Sequence, residues 1–331
     1  LQQADVIPTV VESLPLHRLV LYATPSEREK RDEYIQSFAQ SLRNLGANDI
    51  HKVMINFMGF DWARTDSAVP YRLKGETVYT SEFRHADREK ARLAALERMK
   101  KNGGVMHGWA TGITENDLNG QTGPGVSREQ MRENILAFFQ VIIPVAQEAH
   151  VTVSIHPDDP PFRNDVQDRA LFGFPRMAST EADYDRHFEV AADIERGKGE
   201  VIKAVYCTGA LAPANGDLVG LLRKLASEHR VDTLHLRDVE PLEPNDTTYS
   251  QGIREVPTGL GNVPLHEIAR VLVELDMWDN IDWRPDHGYR REHEQCRDGY
   301  SFPGRIENAL VIEENIRHWL QASISPGTSA K

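Results

Sequence analysis

Along this chain, short β-branched runs alternate with segments in which apolar residues recur every three or four positions. The runs Val6–Glu12, Val53–Met58, Val151–His156, Val201–Cys207, Val231–Leu236 and Ile281–Arg284 are bounded by turn residues and predict strands. Tyr34, Ile35, Phe38, Leu42 and Leu45 share one face of a helix, which Gly46 is placed to end as a C-cap. Ser127 and Gln130 have the spacing of a capping box before the apolar run Met131–Ala149, where Pro144 predicts a kink. The same periodicity predicts helices over Thr180–Arg196, Asn215–Glu228, Pro264–Leu275 and Arg305–Leu320.

Strands alternating with helices specify an α/β fold with a parallel sheet covered by helices. An eight-stranded barrel needs two strands more than this reading supplies. The chain opens in what reads as the end of a helix running into a strand, so the first two strands are expected upstream of residue 1. The stretch Thr65–Gly125 is rich in Gly and charge with little steady periodicity, and reads as an excursion over one barrel face. A single, N-terminally incomplete catalytic domain is expected over residues 1–322, followed by a disordered tail over 323–331.

Composition narrows the partners. With 331 residues, 40% of them hydrophobic, the chain can bury a large core. A formal net charge of -12 repels nucleic acid and anionic membranes, so neither is expected as a partner. An anionic substrate would therefore require a local cluster of arginines. No stretch approaches the roughly 18 apolar residues of a membrane span, and LQQADVIPTV lacks a basic leader with an apolar core. Two cysteines, Cys207 and Cys296, exclude a disulfide framework. A cytoplasmic homo-oligomer is the expectation.

Four metal-binding side chains share one setting. His156 ends VTVSIH, Cys207 ends VIKAVYC, His235 lies in TLHLRD and Asp286 in RPDHG, each at or near the C-terminal end of a predicted strand. Barrel enzymes build their sites at that end. Two imidazoles, a thiolate and a carboxylate suit a divalent ion such as Zn²⁺, Fe²⁺, Mn²⁺ or Co²⁺. Taken singly, a strand histidine or cysteine is more often core than ligand; their joint placement carries the argument.

Side chains two apart on a strand point the same way, which puts Arg237 beside His235 and Arg284 beside Asp286. Paired guanidiniums grip carboxylates, and Arg64, in the polar loop after Asp61-Trp62, is a third candidate. Asn56 ends its strand and could orient a substrate hydroxyl or pair with backbone. His287 follows a proposed ligand, and Tyr300 sits in the Gly-flanked segment Asp298-Gly299-Tyr300-Ser301; together they suit acid–base work. Cys296, His17, His229, His266 and His293 have no cluster logic and read as incidental or surface residues. Gly259-Leu260-Gly261 is too short for a dinucleotide loop, and neither a Walker A sequence nor a nucleophile elbow occurs.

These stretches resemble the mannonate dehydratase family. The resemblance rests on VVESLPLH, on Asn56-Phe57-Met58 with DWARTD, on HPDDPP, Cys207-Thr208-Gly209, His235-Leu236-Arg237, RPDHG and Gly299-Tyr300-Ser301, in family order nearly end to end. It implies a xylose-isomerase-like TIM (β/α)8 barrel that uses Mn²⁺ to dehydrate a small sugar acid. His156, Cys207, His235 and Asp286 then match the metal ligands, and His287 and Tyr300 the acid–base pair. The segment Phe162–Phe174 is longer than the family pattern, and the stretches after Cys207-Thr208-Gly209 and over Gly261-Asn262-Val263-Pro264 also depart from it. Those departures leave open another aldonic or uronic acid, a metal-dependent sugar isomerase or epimerase, and a sugar-acid-binding sensor without turnover.

Overall fold

The computed structural model describes residues 8–59, 63–101, 110–119, 124–160, 170–294 and 300–324. The strands that matter here are β1 (Val10–Val11), β2 (Lys52–Asn56), β3 (Asp66–Leu73), β4 (Glu76–Arg84), β5 (Thr152–His156), β6 (Ile202–Cys207), β7 (Val231–Leu236), β8 (Asp238–Pro241), β9 (Gly252–Val256) and β10 (Asp282–Pro285). The principal helices are α1 (Arg28–Gly46), α2 (Arg88–Lys101), α3 (Arg128–Ala149), α4 (Glu181–Glu195), α5 (Leu218–Ser227), α6 (Leu265–Glu274) and α7 (Phe302–Ile324). Among the described residues, one parallel sheet runs in the order β1-β2-β5-β6-β7-β10. Each of the six runs expected to be a strand contributes to it.

Contacts divide the chain into two units. The first holds residues 1–63, 89–205 and 229–232. It contains β1, β2 and β5, in which Val53, Ile55, Val153 and Ile155 are buried, together with α1, α3 and α4. Phe38 of α1 meets Phe138 of α3 edge-on at 5.2 Å. Close approach of these helices, rather than a C-cap, explains Gly46. It is the last residue of α1, Ala47 caps in right-handed geometry, and a Cβ on Gly46 would lie 2.3 Å from the Ala149 carbonyl oxygen. Asn134, buried in α3, donates to the Leu21 and Ala23 carbonyls and accepts from Arg31, so its burial leaves polar groups satisfied. The Ser127–Gln130 box is half formed. Ser127 caps the Gln130 N–H, while the Gln130 side chain turns to Glu133 instead. The full box appears at α4, where Thr180 and Asp183 bond reciprocally.

The second unit holds residues 64–88, 206–228 and 233–331. It takes the C-terminal ends of β6 and β7, all of β10, and α5 to α7. Its distinctive part is an antiparallel sheet in the order β8-β9-β4-β3. This corrects the expectation of an irregular excursion after Thr65, since β3 and β4 form a hairpin closed by Lys74 and Gly75, both at positive φ. The alternation was hard to see because no residue of β3 is fully buried. The Gly259–Val263 loop also acquires a reason. The buried Asp238 carboxylate accepts the N–H groups of Gly259, Gly261 and Val263 and so fixes its course.

Candidate metal centre

Three strand ends of the second unit place Cys207, His235 and Asp286 together. Cys207 is the last residue of β6, His235 the fifth of β7, and Asp286 directly follows β10. All three are buried. The Cys207 Sγ lies 3.6 Å from Asp286 Oδ2, and His235 Nδ1 lies 3.6 Å from Asp286 Oδ1. His156 ends β5 and is buried too, its Nδ1 2.7 Å from the Pro157 carbonyl oxygen. The ligand atoms of His156, Cys207, His235 and Asp286 all lie within 4.8 Å of one another. Burial alone would raise the Asp286 pKa; His287, His235, Arg284 and Arg237 outweigh it and hold the carboxyl well below its ordinary range. An ionised carboxylate, a thiol and two imidazoles, buried together, form a donor set that fits a divalent transition metal.

The arginines divide into two kinds. Arg284 keeps 28% of its side chain exposed, donates from Nη2 to Asp286 Oδ1 at 2.8 Å, and reaches His235 Nε2 from Nε at 3.0 Å. Arg64 and Arg237 have side chains only 1% and 2% exposed. Both are bound to Glu255, Arg64 through Nη2 and Arg237 through Nη1 at 2.8 Å. Arg237 Nε is also 3.4 Å from Asp286 Oδ2. Asn56, in the first unit, donates to the His156 and Pro157 carbonyls and accepts from the Met58 N–H, the backbone-pairing alternative left open by its position.

His287 lies flat against Tyr300, with ring centroids 4.8 Å apart and planes 14° off parallel. Its backbone is held where Gly288 approaches α7 and Asn308 donates to the His287 carbonyl. The Arg305 guanidinium stands over the other aromatic partner, 5.7 Å from the Tyr300 ring centre.

Comparison with known proteins gives this arrangement a family. The model of the family D-mannonate dehydratase (UxuA) matches residues 1–321. The chain belongs to the D-mannonate dehydratase family. Mannonate dehydratase 2 of Halalkalibacterium halodurans is 29% identical over 308 residues, spanning 92% of this chain and 80% of that protein. The mannonate dehydratase of Enterococcus faecalis is 27% identical over 307 residues, with coverages of 92% and 79%. Among solved structures, the mannonate dehydratase of Streptococcus suis serotype 2 superposes with a TM-score of 0.74 at 24% identity, covering 100% of this chain and 82% of that one. A xylose isomerase-like TIM barrel protein from Mycobacterium smegmatis, solved with magnesium, gives 0.50 at 10% identity, with coverages of 96% and 76%. The fold is therefore the α/β TIM barrel of the xylose-isomerase-like kind, and the family is one of dehydratase enzymes.

Family membership does not identify every residue that touches the site. Glu255 escaped the reading of the sequence altogether. It sits in the short strand β9, where Gly-Ile-Arg-Glu-Val gave one signal, an acid inside a β-branched run. Burial works against its charge, but Arg64, His287 and Arg237 hold it well below the ordinary carboxylate range. His17, expected on the surface, instead stacks on Tyr34 at 3.5 Å and caps a helical turn through Nδ1. His229, His266 and His293 are exposed. Asp61, Trp62, Cys296, Asp298, Gly299 and residues 161–169 of the long segment after HPDDPP lie outside the described residues. Among the described residues, no helix is long and apolar enough to cross a membrane.

Proposed function

We propose that this chain dehydrates D-mannonate to 2-keto-3-deoxy-D-gluconate, using one divalent ion, Mn²⁺, held by His156, Cys207, His235 and Asp286. The observation that carries this reading is the convergence of those four ligand atoms within 4.8 Å in a chain of the D-mannonate dehydratase family. When bound, the metal supplies Lewis-acid stabilisation of the negative charge that develops as the C2 proton leaves.

The chain's own residues handle the substrate and the protons. Of the three arginines Arg284 alone keeps a partly exposed side chain and fits the substrate carboxylate. Asn56, buried with its amide committed to backbone groups, shapes the strand end that carries His156. Arg64 and Arg237, bound to Glu255, contribute positive potential from behind. His287 and Tyr300 share the proton transfers. One accepts the proton from C2 and the other protonates the departing C3 hydroxyl, which leaves as water; the resulting enol becomes the 2-keto acid. Their stacked rings support a shared role, since both functional groups are presented from one place.

The deciding experiment incubates the protein with Mn²⁺ and a panel of aldonic acids and follows 2-keto-3-deoxy products. D-mannonate should give the highest kcat/KM, and chelation should abolish turnover until metal is restored. Product from another acid alone would reassign the substrate. Conversion to an epimer or a ketose without loss of water would replace dehydration by isomerisation, and ligand binding without turnover would leave a sensor.

A further inference from the structure

The antiparallel sheet beside the strand ends brings a buried carboxylate to the back of His287. Glu255, on β9, is 3% exposed and touches four side chains from four other segments. Arg64 Nη2 donates to its Oε1, Ser81 Oγ donates to Oε2 at 2.8 Å, Arg237 Nη1 donates to Oε1 at 2.8 Å, and His287 Nδ1 lies 2.7 Å from Oε1. Arg237 Nη1 is also 2.8 Å from His287 Nδ1. That ring nitrogen therefore has an acceptor and a donor within hydrogen-bonding distance, and it can satisfy only one of them.

Charge decides the competition. Two guanidiniums keep Glu255 an anion, and an anionic oxygen 2.7 Å from a nitrogen lone pair would be repelled. A proton between them removes that clash and makes a charge-assisted hydrogen bond. Arg237, by contrast, already has Glu255 Oε1 as acceptor and does not need the ring. With the proton on Nδ1, the neutral imidazole carries its lone pair on Nε2, the nitrogen 3.8 Å from Asp286 Oδ1 and so turned towards the proposed metal ligands.

We propose that Glu255 is a positioning residue for the elimination. It fixes the Nδ1–H tautomer and the ring plane of His287, so that Nε2 is the nitrogen that exchanges a proton with the substrate. This rests on the dehydratase reading above. Removing the negative charge hands Nδ1 to Arg237. In Glu255→Gln the guanidinium becomes the stronger partner, the ring proton moves to Nε2, and the working nitrogen loses its lone pair. Glu255 touches neither the substrate nor any of the four proposed ligands, so the loss should appear in turnover rather than in metal or substrate binding.

The test labels histidine with ¹⁵N in the Mg²⁺-loaded, diamagnetic protein and assigns the His287 ring by its absence in His287→Gln. Wild type should show a protonated Nδ1 and an unprotonated Nε2, and Glu255→Gln should show the reverse. In the Mn²⁺ enzyme, Glu255→Gln should lower kcat by about 10²-fold, the scale of a lost acid–base contribution. KM should stay within about threefold and metal content should match wild type. A wild-type ring protonated on Nε2 overturns the proposal without recourse to any Glu255 variant, even if that variant does not fold. It is also overturned if Glu255→Gln keeps the wild-type tautomer, or if its kcat falls only in proportion to its folded fraction. If wild type does not dehydrate D-mannonate, the functional reading fails by itself, and the ring-nitrogen spectra still decide what Glu255 does to His287.

Discussion

Glu195 and Glu255 are both buried glutamates paired with arginine, one in each unit, and they differ in what completes their shell. Glu195, at the end of α4, takes Arg230 in a two-pronged bond, Nη2 to Oε2 at 2.9 Å and Nη1 to Oε1 at 3.1 Å. Its remaining capacity goes to the N–H groups of Val201 and Ile202, at the start of the strand that ends in Cys207. Every partner is a fixed donor, so the pair ties a helix end to a strand. Glu255 has two arginines and a serine, but its last partner is an imidazole whose proton can sit on either nitrogen. Burial and charge are alike in the two places. What separates scaffold from site is whether the charge is spent on groups with one hydrogen-bonding state or on a group with two.

The largest effect that tests this contrast lies at the strand ends themselves. Asp286→Asn removes the ionised member of the four-residue set while preserving its shape. Metal content should fall well below one ion per chain, and D-mannonate turnover should drop by about 10³-fold or more, since several kcal/mol of charge stabilisation go with the ion. Metal analysis beside initial rates checks both. Full turnover in the variant, or in thoroughly chelated wild type, would remove the metal from the reaction.

Tyr300→Phe comes next. The ring stays stacked on His287 and only the hydroxyl is lost, so metal content and melting temperature should match wild type. Turnover should fall by about 10²- to 10⁴-fold. A variant with normal turnover would mark Tyr300 as a packing aromatic.

How much of this could be read along the chain follows from the same contrast. The six parallel strands were legible because Val, Ile and Leu crowd short runs between helical periods, and His156, Cys207, His235 and Asp286 were legible because they sit where those runs stop. The antiparallel sheet was not. Asp66–Leu73 alternates between half-buried and exposed positions without a core face, and the register that pairs Gly252, Ile253 and Arg254 with Arg84, Phe83 and Glu82 joins residues far apart in sequence. Glu255 was hidden for that reason: its partners Arg64, Ser81, Arg237 and His287 come from four separate segments, and no spacing rule links them. Gly46 shows the local version. A glycine after an amphipathic run signals a cap, but here the approach of Ala149 from another helix decided its use.

Glu195→Gln probes the scaffold half of the comparison. Losing the charge beside a buried guanidinium should cost about 3–5 kcal/mol of stability, measured by denaturant unfolding. At temperatures where the variant is folded, kcat should stay within about twofold of wild type, because no partner of Glu195 changes state during the reaction. A kcat loss as large as that expected for Glu255→Gln would erase the distinction between the two glutamates.

The smallest effect is in the pH dependence of stability, and its sign follows from the direction of the Glu255 shift. Its carboxyl is held below the ordinary value of 4.5 in the folded chain. The unfolded chain therefore takes up that proton first as pH falls, and acid favours unfolding. The contribution is complete above about pH 4.5 and shrinks as the solution approaches the folded-state value. One proton bound only by the unfolded state gives a slope of about 1.4 kcal/mol per pH unit. Unfolding free energies measured between about pH 4 and pH 3 should thus fall more steeply for wild type than for Glu255→Gln, by up to that amount per unit. Equal slopes would mean that Glu255 titrates alike in the folded and unfolded chains, so that Arg64, Arg237 and His287 do not favour its anion as their contacts require.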